Sequence, residues 1–216
     1  MPRVSRQQTE QHRAAIEEAS SRLFRERGIQ AVSVADLMRA AGLTHGGFYG
    51  HFESKEALAG VACAKAFAQS VERWQGRIEQ AERPAQARAA IVRAYLSEHS
   101  RDSAGLGCPA SALATDAARE EPASPLRQNY LGGVSQLLDL LAQVQPAPGT
   151  EVARRQALVE LSLMVGAQML ARATQGNPLS EAVLDAACEH LLPLAEPDPP
   201  RGRADPDSQP PAAQAD

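Results

Sequence analysis

The segment from Ser33 to Leu58, SVADLMRAAGLTHGGFYGHFESKEAL, constrains the fold more than any other part of the chain. Ser33 is followed three residues later by Asp36, which is the spacing of a capping box at the start of a helix. Gly42 lies where that helix ends, because glycine can adopt the left-handed conformation that a tight turn between helices requires. Thr44 provides a capping residue for the next, very short helix. The segment therefore predicts a helix-turn-helix.

The rest of the chain also has the pattern of helices. Apolar residues recur at helical spacing, and the β-branched runs typical of sheets are missing. Only 4% of the residues are aromatic, so alanine and aliphatic side chains form most of the core. About nine helices are expected: one at about 9–27, two short ones between 33 and 52, a long one at about 55–81, four that begin near Pro84, Cys108, Pro125 and Thr150, and a ninth that contains Val183 to Leu192.

This pattern predicts an all-α protein with two domains. Residues 1–56 form an N-terminal three-helix domain that contains the helix-turn-helix, a motif typical of DNA-binding domains, and residues 57–195 form a C-terminal helical bundle. Residues 196–216 are rich in Pro, Asp and Gln with almost no apolar bulk, so a disordered tail is expected.

The charge is unevenly distributed along the chain. A net charge of −4 argues against a protein that coats nucleic acid nonspecifically. Residues 1–56 carry 8 Lys and Arg against 7 Asp and Glu, whereas the remainder carries 14 against 19. This asymmetry agrees with an N-terminus that faces DNA.

Polar side chains near the short helix are suited to DNA. The exposed amides at its N-terminus, together with Thr44, suit a phosphate or a base edge. Tyr49 can donate to phosphate oxygens, and Lys55 can reach the DNA backbone as a point charge. His45, at the start of the predicted recognition helix, is the best candidate for a base-edge contact.

Glycines and nearby arginines complete the candidate set. Gly46 and Gly47 weaken a helix by about 1 kcal/mol each relative to alanine, so their presence suggests a close approach to a surface such as a DNA groove. No arginine lies in the recognition helix, and Arg39, or Arg3 or Arg6 in the N-terminal arm, would have to contact guanine. The candidate DNA-binding residues are Ser33, Arg39, Thr44, His45, Gly46, Gly47, Tyr49, His51 and Lys55.

Residues 10–58 contain three motifs at fixed spacing: Phe24-x-x-x-Gly28, Ala41-Gly42-Leu43-Thr44, and Phe48-Tyr49-x-His51-Phe52-x-Ser54-Lys55-Glu56-x-Leu58. In these motifs the segment resembles the N-terminal domain of TetR-family transcriptional regulators. The resemblance implies that the third helix reads the major groove of a double-stranded DNA operator. It also implies that Tyr49, His51 and Lys55 contact phosphates while Phe52 packs inside.

The same resemblance implies an Ω-shaped homodimer that forms through the last two helices and represses transcription from a palindromic operator. The eighth helix suits an element buried between a core and a partner, because it is apolar on most sides. Its apolar residues are Leu158, Leu161, Leu163, Met164, Val165, Met169 and Leu170, beside the small Gly166 and Ala167. The alternative is a central helix of a monomer.

An unidentified small apolar effector is the expected signal, bound between helices of the second domain. Binding would shift the population away from the DNA-binding arrangement. The candidate ligand-binding residues, each also compatible with ordinary core packing, are Phe67, Val71, Trp74, Ile91, Tyr95, Leu113, Met164 and Gln168.

Cys108 is a candidate redox or electrophile sensor. It follows Gly107 at the predicted N-cap of a helix whose first residue is Pro109, and a helix N-terminus lowers the pKa of a thiol. The alternative is a small buried residue at a helix start. The other cysteines, Cys63 and Cys188, form no CxxC pair or Cys/His cluster with it, so no metal site and no disulfide framework is expected.

Two other classes of function compete with a regulator. An enzyme could use Cys108 as a nucleophile with His99 or His190, but no local motif fixes a base, and the phosphate-loop, HExxH and GxSxG patterns are missing. The prediction is therefore a non-enzyme without a cofactor. An interaction protein that keeps the helix-turn-helix only as a scaffold is the other alternative.

The sequence also favours a cytoplasmic location. Residues 1–13 are polar and charged, unlike a signal peptide. The most apolar segment, residues 157–171, is too short for a membrane span.

Overall fold

The computed structural model describes residues 6–192, and all the regular structure in that range is helical. The ten α-helices are α1 (Arg6–Arg27), α2 (Val34–Ala40), α3 (Lys55–Glu79), α4 (Pro84–Tyr95), α5 (Glu98–Asp102), α6 (Pro109–Ala112), α7 (Ala114–Arg119), α8 (Pro125–Gln143), α9 (Glu151–Ala173) and α10 (Pro178–Leu191). Two 3-10 segments span His45–Gly50 and Ala104–Leu106. The all-α prediction is confirmed, whereas the predicted tail at 196–216 and Arg3 of the arm lie outside the described residues.

The capping residues begin and end α2 as the sequence predicts. The Ser33 hydroxyl oxygen accepts from the Asp36 backbone N–H at 3.1 Å, and the Asp36 carboxylate accepts from the Ser33 backbone N–H at 3.1 Å. Gly42 has φ of +71°, which turns the chain toward the next segment. The predicted tight turn is therefore confirmed.

The next segment differs in detail from the prediction. Thr44 occupies the N-cap position, but its hydroxyl makes no capping hydrogen bond, and His45–Gly50 is a 3-10 helix rather than an α-helix. Three of its six residues are glycines, which weaken an α-helix and favour a short, tight segment.

The middle of the chain contains more helices than predicted. The single helix expected from Cys108 to Arg119 is broken at Leu113 into α6 and α7, and α5 was not expected at all. Leu113 is buried and has φ of −110° and ψ of 5°, so its side chain stays in the core while the chain changes direction.

The second part of the protein is a bundle built around α3 and α8. Gly133 lies directly against the ring of Phe67, and a Cβ on Gly60 would lie 2.6 Å from the Cβ of Pro125. These small residues let the two helices approach closely. The predicted domain boundary at residue 56 falls in the first turn of α3, which runs unbroken from the helix-turn-helix into the bundle.

Candidate functional site

The 3-10 segment after α2 presents one face to solvent and one to the core. Phe48 is fully buried, and its ring centroid lies 6.0 Å from that of the buried Phe52, so the predicted interior position of Phe52 is confirmed. The next residue, Tyr49, is 71% exposed. The exposed face, which we call the reading surface, consists of Thr44, His45, Gly46, Gly47 and Tyr49.

The other candidate DNA-binding residues flank this surface. The Ser33 hydroxyl is engaged in the α2 cap, and its hydrogen bonds hold the pKa of the Asp36 carboxyl below its ordinary value. Arg39 is exposed, with its guanidinium 3.1 Å from an Asp36 oxygen. Lys55, the first residue of α3, is half-buried.

His51 ends the 3-10 segment and contacts α1. Its ring centroid lies 6.1 Å from that of His12, and its carbonyl accepts from Arg13 at 2.8 Å. Burial, together with the charges of His12 and Arg13, lowers the pKa of His51 below its ordinary value of 6.5. A neutral imidazole is therefore what His51 presents at neutral pH.

Sequence reasoning missed Arg13, whose guanidinium also lies 4.4 Å from the centroid of the Phe52 ring. Arg13 and His51 are 38 positions apart in the chain, and no local pattern connects them.

A second feature is a cavity of about 300 Å³ between α3, α4 and the segment that contains Cys108. Of the predicted ligand residues, Trp74, Ile91 and Tyr95 lie on its wall. The remaining five do not line it: Phe67, Val71, Leu113, Met164 and Gln168.

One of these five supports the wall from behind. The buried side-chain amide of Gln168 donates to the Tyr95 carbonyl at 2.9 Å and to the Ser100 hydroxyl at 2.8 Å. Since Tyr95 and Ser100 both line the cavity, Gln168 fixes the wall without facing the cavity.

Comparisons with known proteins agree with this geometry. The family described as "Bacterial regulatory proteins, tetR family" matches residues 16–61, which contain α2 and the reading surface. The chain is 38% identical over 58 residues to the HTH-type transcriptional regulator TtgR of Pseudomonas putida. That match covers 27% of this chain and only 28% of the relative.

Likeness to solved structures extends over most of the chain. The crystal structure of a TetR transcriptional regulator from Chloroflexus aurantiacus is 25% identical, with a TM-score of 0.71, over 86% of this chain and 94% of that one. Residues 16–61 therefore match the TetR family, and the chain as a whole shares the fold of a TetR regulator. A TetR-type fold is also shared with the reduced form of E. coli NemR, at 21% identity and a TM-score of 0.69 over 83% of this chain and 94% of that chain.

Cys108 has surroundings that differ from the expectation. Cys108 is the N-cap and Pro109 follows in the first turn, as predicted, but the helix is only four residues long and Cys108 is buried. Burial raises the pKa of the Cys108 thiol, and the neighbouring Tyr95 hydroxyl and helix amides offset this effect only in part. The expectation of a lowered pKa was wrong, because desolvation of the thiolate outweighs the short helix.

Arg25 links α1 to the cavity. It is buried in α1, and its guanidinium donates to the Gly107 carbonyl and to the Gln69 side chain, both at 2.9 Å. Burial lowers the pKa of Arg25 to about 10. Gly107 also lines the cavity. Through Arg25, α1 is therefore hydrogen-bonded directly to the cavity wall.

Two further features concern residues 6–192 alone. No helix there is both long enough and apolar enough to cross a bilayer. Nor are three His, Cys, Asp or Glu side chains grouped there as metal ligands would be.

Proposed function

We propose that this protein is a TetR-family transcriptional regulator that binds operator DNA through the reading surface. The observation that carries the proposal is the contrast between Phe48, fully buried, and Tyr49, 71% exposed in the next position. The core therefore holds the short segment in place while Thr44, His45 and Tyr49 face outward. A segment of this kind can enter a major groove without loss of core packing.

The glycines of the reading surface support contact with an external partner. Gly46 has ordinary negative φ, and no heavy atom of the described residues beyond its neighbours in the segment lies within 4 Å of the position that its Cβ would take. Neither backbone conformation nor internal packing therefore requires glycine at this position. A DNA backbone that approaches closely would explain it.

Two copies of the chain would read a palindrome. The outward faces of α9 and α10 carry large exposed apolar side chains, while Leu161 and Met164 of α9 are buried in the protein's own core. We propose that a homodimer forms through these faces, because such apolar area is unfavourable in water. The exposed residues are Val152, Leu158, Val159, Met169, Leu170 and Leu179.

Repression would be relieved by a small molecule in the cavity. Gly107 is on the cavity wall and accepts from Arg25 of α1, so a ligand that displaces this wall alters the seating of α1. A ligand that prefers one arrangement of the two reading surfaces shifts the population away from DNA. This proposed role requires binding and no catalysis, and we propose a cytoplasmic location because the operator DNA is there.

Modification of Cys108 is a second route to release. Cys108 lines the cavity, so a small reactive molecule that entered would meet its thiol. The raised pKa keeps the group protonated at neutral pH, which makes it slow toward general oxidants and a poor catalytic nucleophile. If an oxidant releases DNA from Cys108→Ser as readily as from the parent protein, the cysteine route is excluded.

Selection from a pool of random duplexes tests the proposed function directly. The purified protein should enrich an inverted repeat whose half-sites are about one helical turn, roughly 34–36 Å, or a multiple of that spacing apart. Failure to enrich any sequence over several rounds at low salt would overturn the proposal. Enrichment of a single half-site would keep DNA binding and contradict the dimer.

A further inference from the structure

The wall of the cavity between α3 and α4 is positively charged. Arg73 and Arg77 of α3 lie on it together with His99, and no Asp or Glu is among the lining residues. An apolar part of the wall is formed by Trp74 and Ile91. The cavity therefore combines cationic and apolar surface.

The two arginines lack acidic partners. Among residues 6–192, no carboxylate oxygen lies within 4.0 Å of the Arg73 or Arg77 guanidinium. Arg73 donates to the Ser70 hydroxyl at 2.9 Å, and Arg77 donates to the Arg73 carbonyl at 3.0 Å. Because a guanidinium has five N–H groups in a planar fork, each arginine retains donors that match a carboxylate.

A third donor lies in the same wall. The Tyr95 hydroxyl is buried next to the Cys108 thiol and the Ser111 hydroxyl, but no group among residues 6–192 has the distance and angles of a hydrogen bond with it. Its ring centroid lies 6.3 Å from that of Trp74, nearly edge to face. A buried hydroxyl without a partner is unfavourable, and an acceptor atom in the cavity would satisfy it.

We propose that the cavity binds a small organic carboxylate with an apolar body. The carboxylate pairs with Arg73 and Arg77, the Tyr95 hydroxyl donates to an acceptor of the ligand, and the apolar body packs against Trp74 and Ile91. A volume of about 300 Å³ suits a ligand at the small end of the usual range. The uncharged apolar effector expected from the sequence would leave these three donors without acceptors. That this acid is the effector rests on the proposed function, but its binding does not.

Trp74 makes the binding measurable, because it is the only tryptophan of the chain. The probes are benzoate, 1-naphthoate and octanoate, each paired with its primary amide, which has nearly the same shape but no charge. At least one acid should change the Trp74 fluorescence saturably and bind about tenfold or more tightly than its amide, since charge-assisted hydrogen bonds are lost in the amide. The proposal is overturned if no acid binds below millimolar concentration, or if the amides bind equally well.

Variants locate the charge that is recognised. Arg73→Gln should lower the affinity for the acid about tenfold and leave the affinity for the amide unchanged. Tyr95→Phe should lower the affinity for the acid several-fold. Arg93→Gln is the control, because Arg93 is an exposed arginine of α4 outside the cavity wall. Equal acid affinity in the Arg73 and Arg93 variants would contradict the assignment. Thermal unfolding of each variant shows whether it is folded.

Two further arms separate the alternatives. If phenylphosphonate binds more tightly than benzoate, the ligand is assigned as a phosphate-type anion. The proposal of a carboxylate ligand is then overturned. Acid binding is measured without DNA, and duplex binding without acid. A chain that binds its duplex but no acid contradicts the ligand class alone, whereas one that binds acid but no duplex contradicts the proposed function alone.

Discussion

Phe48 and Tyr49 are adjacent residues with opposite surroundings, and they separate stability from DNA binding. Phe48→Ala removes a fully buried ring and should lower the free energy of unfolding by about 3–5 kcal/mol. Tyr49→Phe keeps the ring, whose centroid lies 5.2 Å from that of Phe48, and should change the free energy of unfolding by less than about 0.5 kcal/mol. Its affinity for the selected duplex should fall about fivefold through the loss of one hydrogen bond of about 1 kcal/mol. Chemical denaturation and fluorescence anisotropy measure the two effects, and unchanged affinity would remove Tyr49 from the interface.

Gly42 tests the turn by backbone conformation alone. An added Cβ would meet nothing within 4 Å at Gly42 or at Gly76, but φ is +71° at Gly42 and in the ordinary helical range at Gly76 in α3. Gly42→Ala should therefore destabilise the protein by about 1–2 kcal/mol, while Gly76→Ala should stabilise it by about 0.5–1 kcal/mol. Equal shifts in the midpoint of denaturation would show that the left-handed conformation is not required.

These residues also show how far sequence could predict the site. Ser33 and Gly42 have roles that depend on neighbours within a few positions, so their spacing alone predicted them, whereas the interior position of Phe52 came from the resemblance to TetR-family domains. The roles of Arg25 and Arg13 could not be predicted. Their partners, Gly107 and His51, are distant in sequence. The spacing of polar residues on α1 does not indicate which of them have distant partners.

At the scale of helices, the close approach of α3 and α8 leaves no room for a side chain at Gly133. A Cβ on Gly133 would overlap the Phe67 ring, whereas one on the adjacent Gly132 would meet nothing within 4 Å. Gly133→Ala should destabilise the protein by about 1–3 kcal/mol through overpacking, and Gly132→Ala should stabilise it by about 0.5–1 kcal/mol through helix propensity. Thermal unfolding of the pair measures the difference, and similar effects would contradict the close contact.

Helix boundaries were predictable where caps and prolines mark them, as at the starts of α3, α8 and α9, where Ser54, Ser124 and Thr150 accept capping hydrogen bonds. The break between α6 and α7 was not, because Leu113, the buried residue at the break, is a good helix former and carries no local signal for the end of a helix. The cavity could not be predicted either, because it also depends on how the helices pack together. Three of the eight candidate ligand residues line the cavity and five do not, since helical spacing does not tell which apolar side chains leave a space between them.

At the scale of the whole molecule, the exposed apolar face of α9 and α10 should join two copies. Leu170 is 57% exposed, so Leu170→Glu should leave the fold intact and convert the dimer to a monomer through a buried charge at the interface. Leu131→Glu is the matched control, because Leu131 is 61% exposed on α8, outside these two helices. Light scattering after gel filtration gives the mass, and a Leu170→Glu protein that stays dimeric would place the interface elsewhere.

DNA affinity and its salt dependence test the central claim, that the reading surface and Lys55 contact DNA. Anisotropy titrations on the selected duplex compare the parent with Tyr49→Ala/Lys55→Ala and with the control Arg93→Ala. The double variant should bind the duplex at least about tenfold more weakly than the parent. The slope of log K against log salt is negative, and its magnitude should decrease by about 1 for each phosphate contact of Lys55 that is lost. The control should match the parent. A double variant with the affinity and salt slope of the parent would contradict the account.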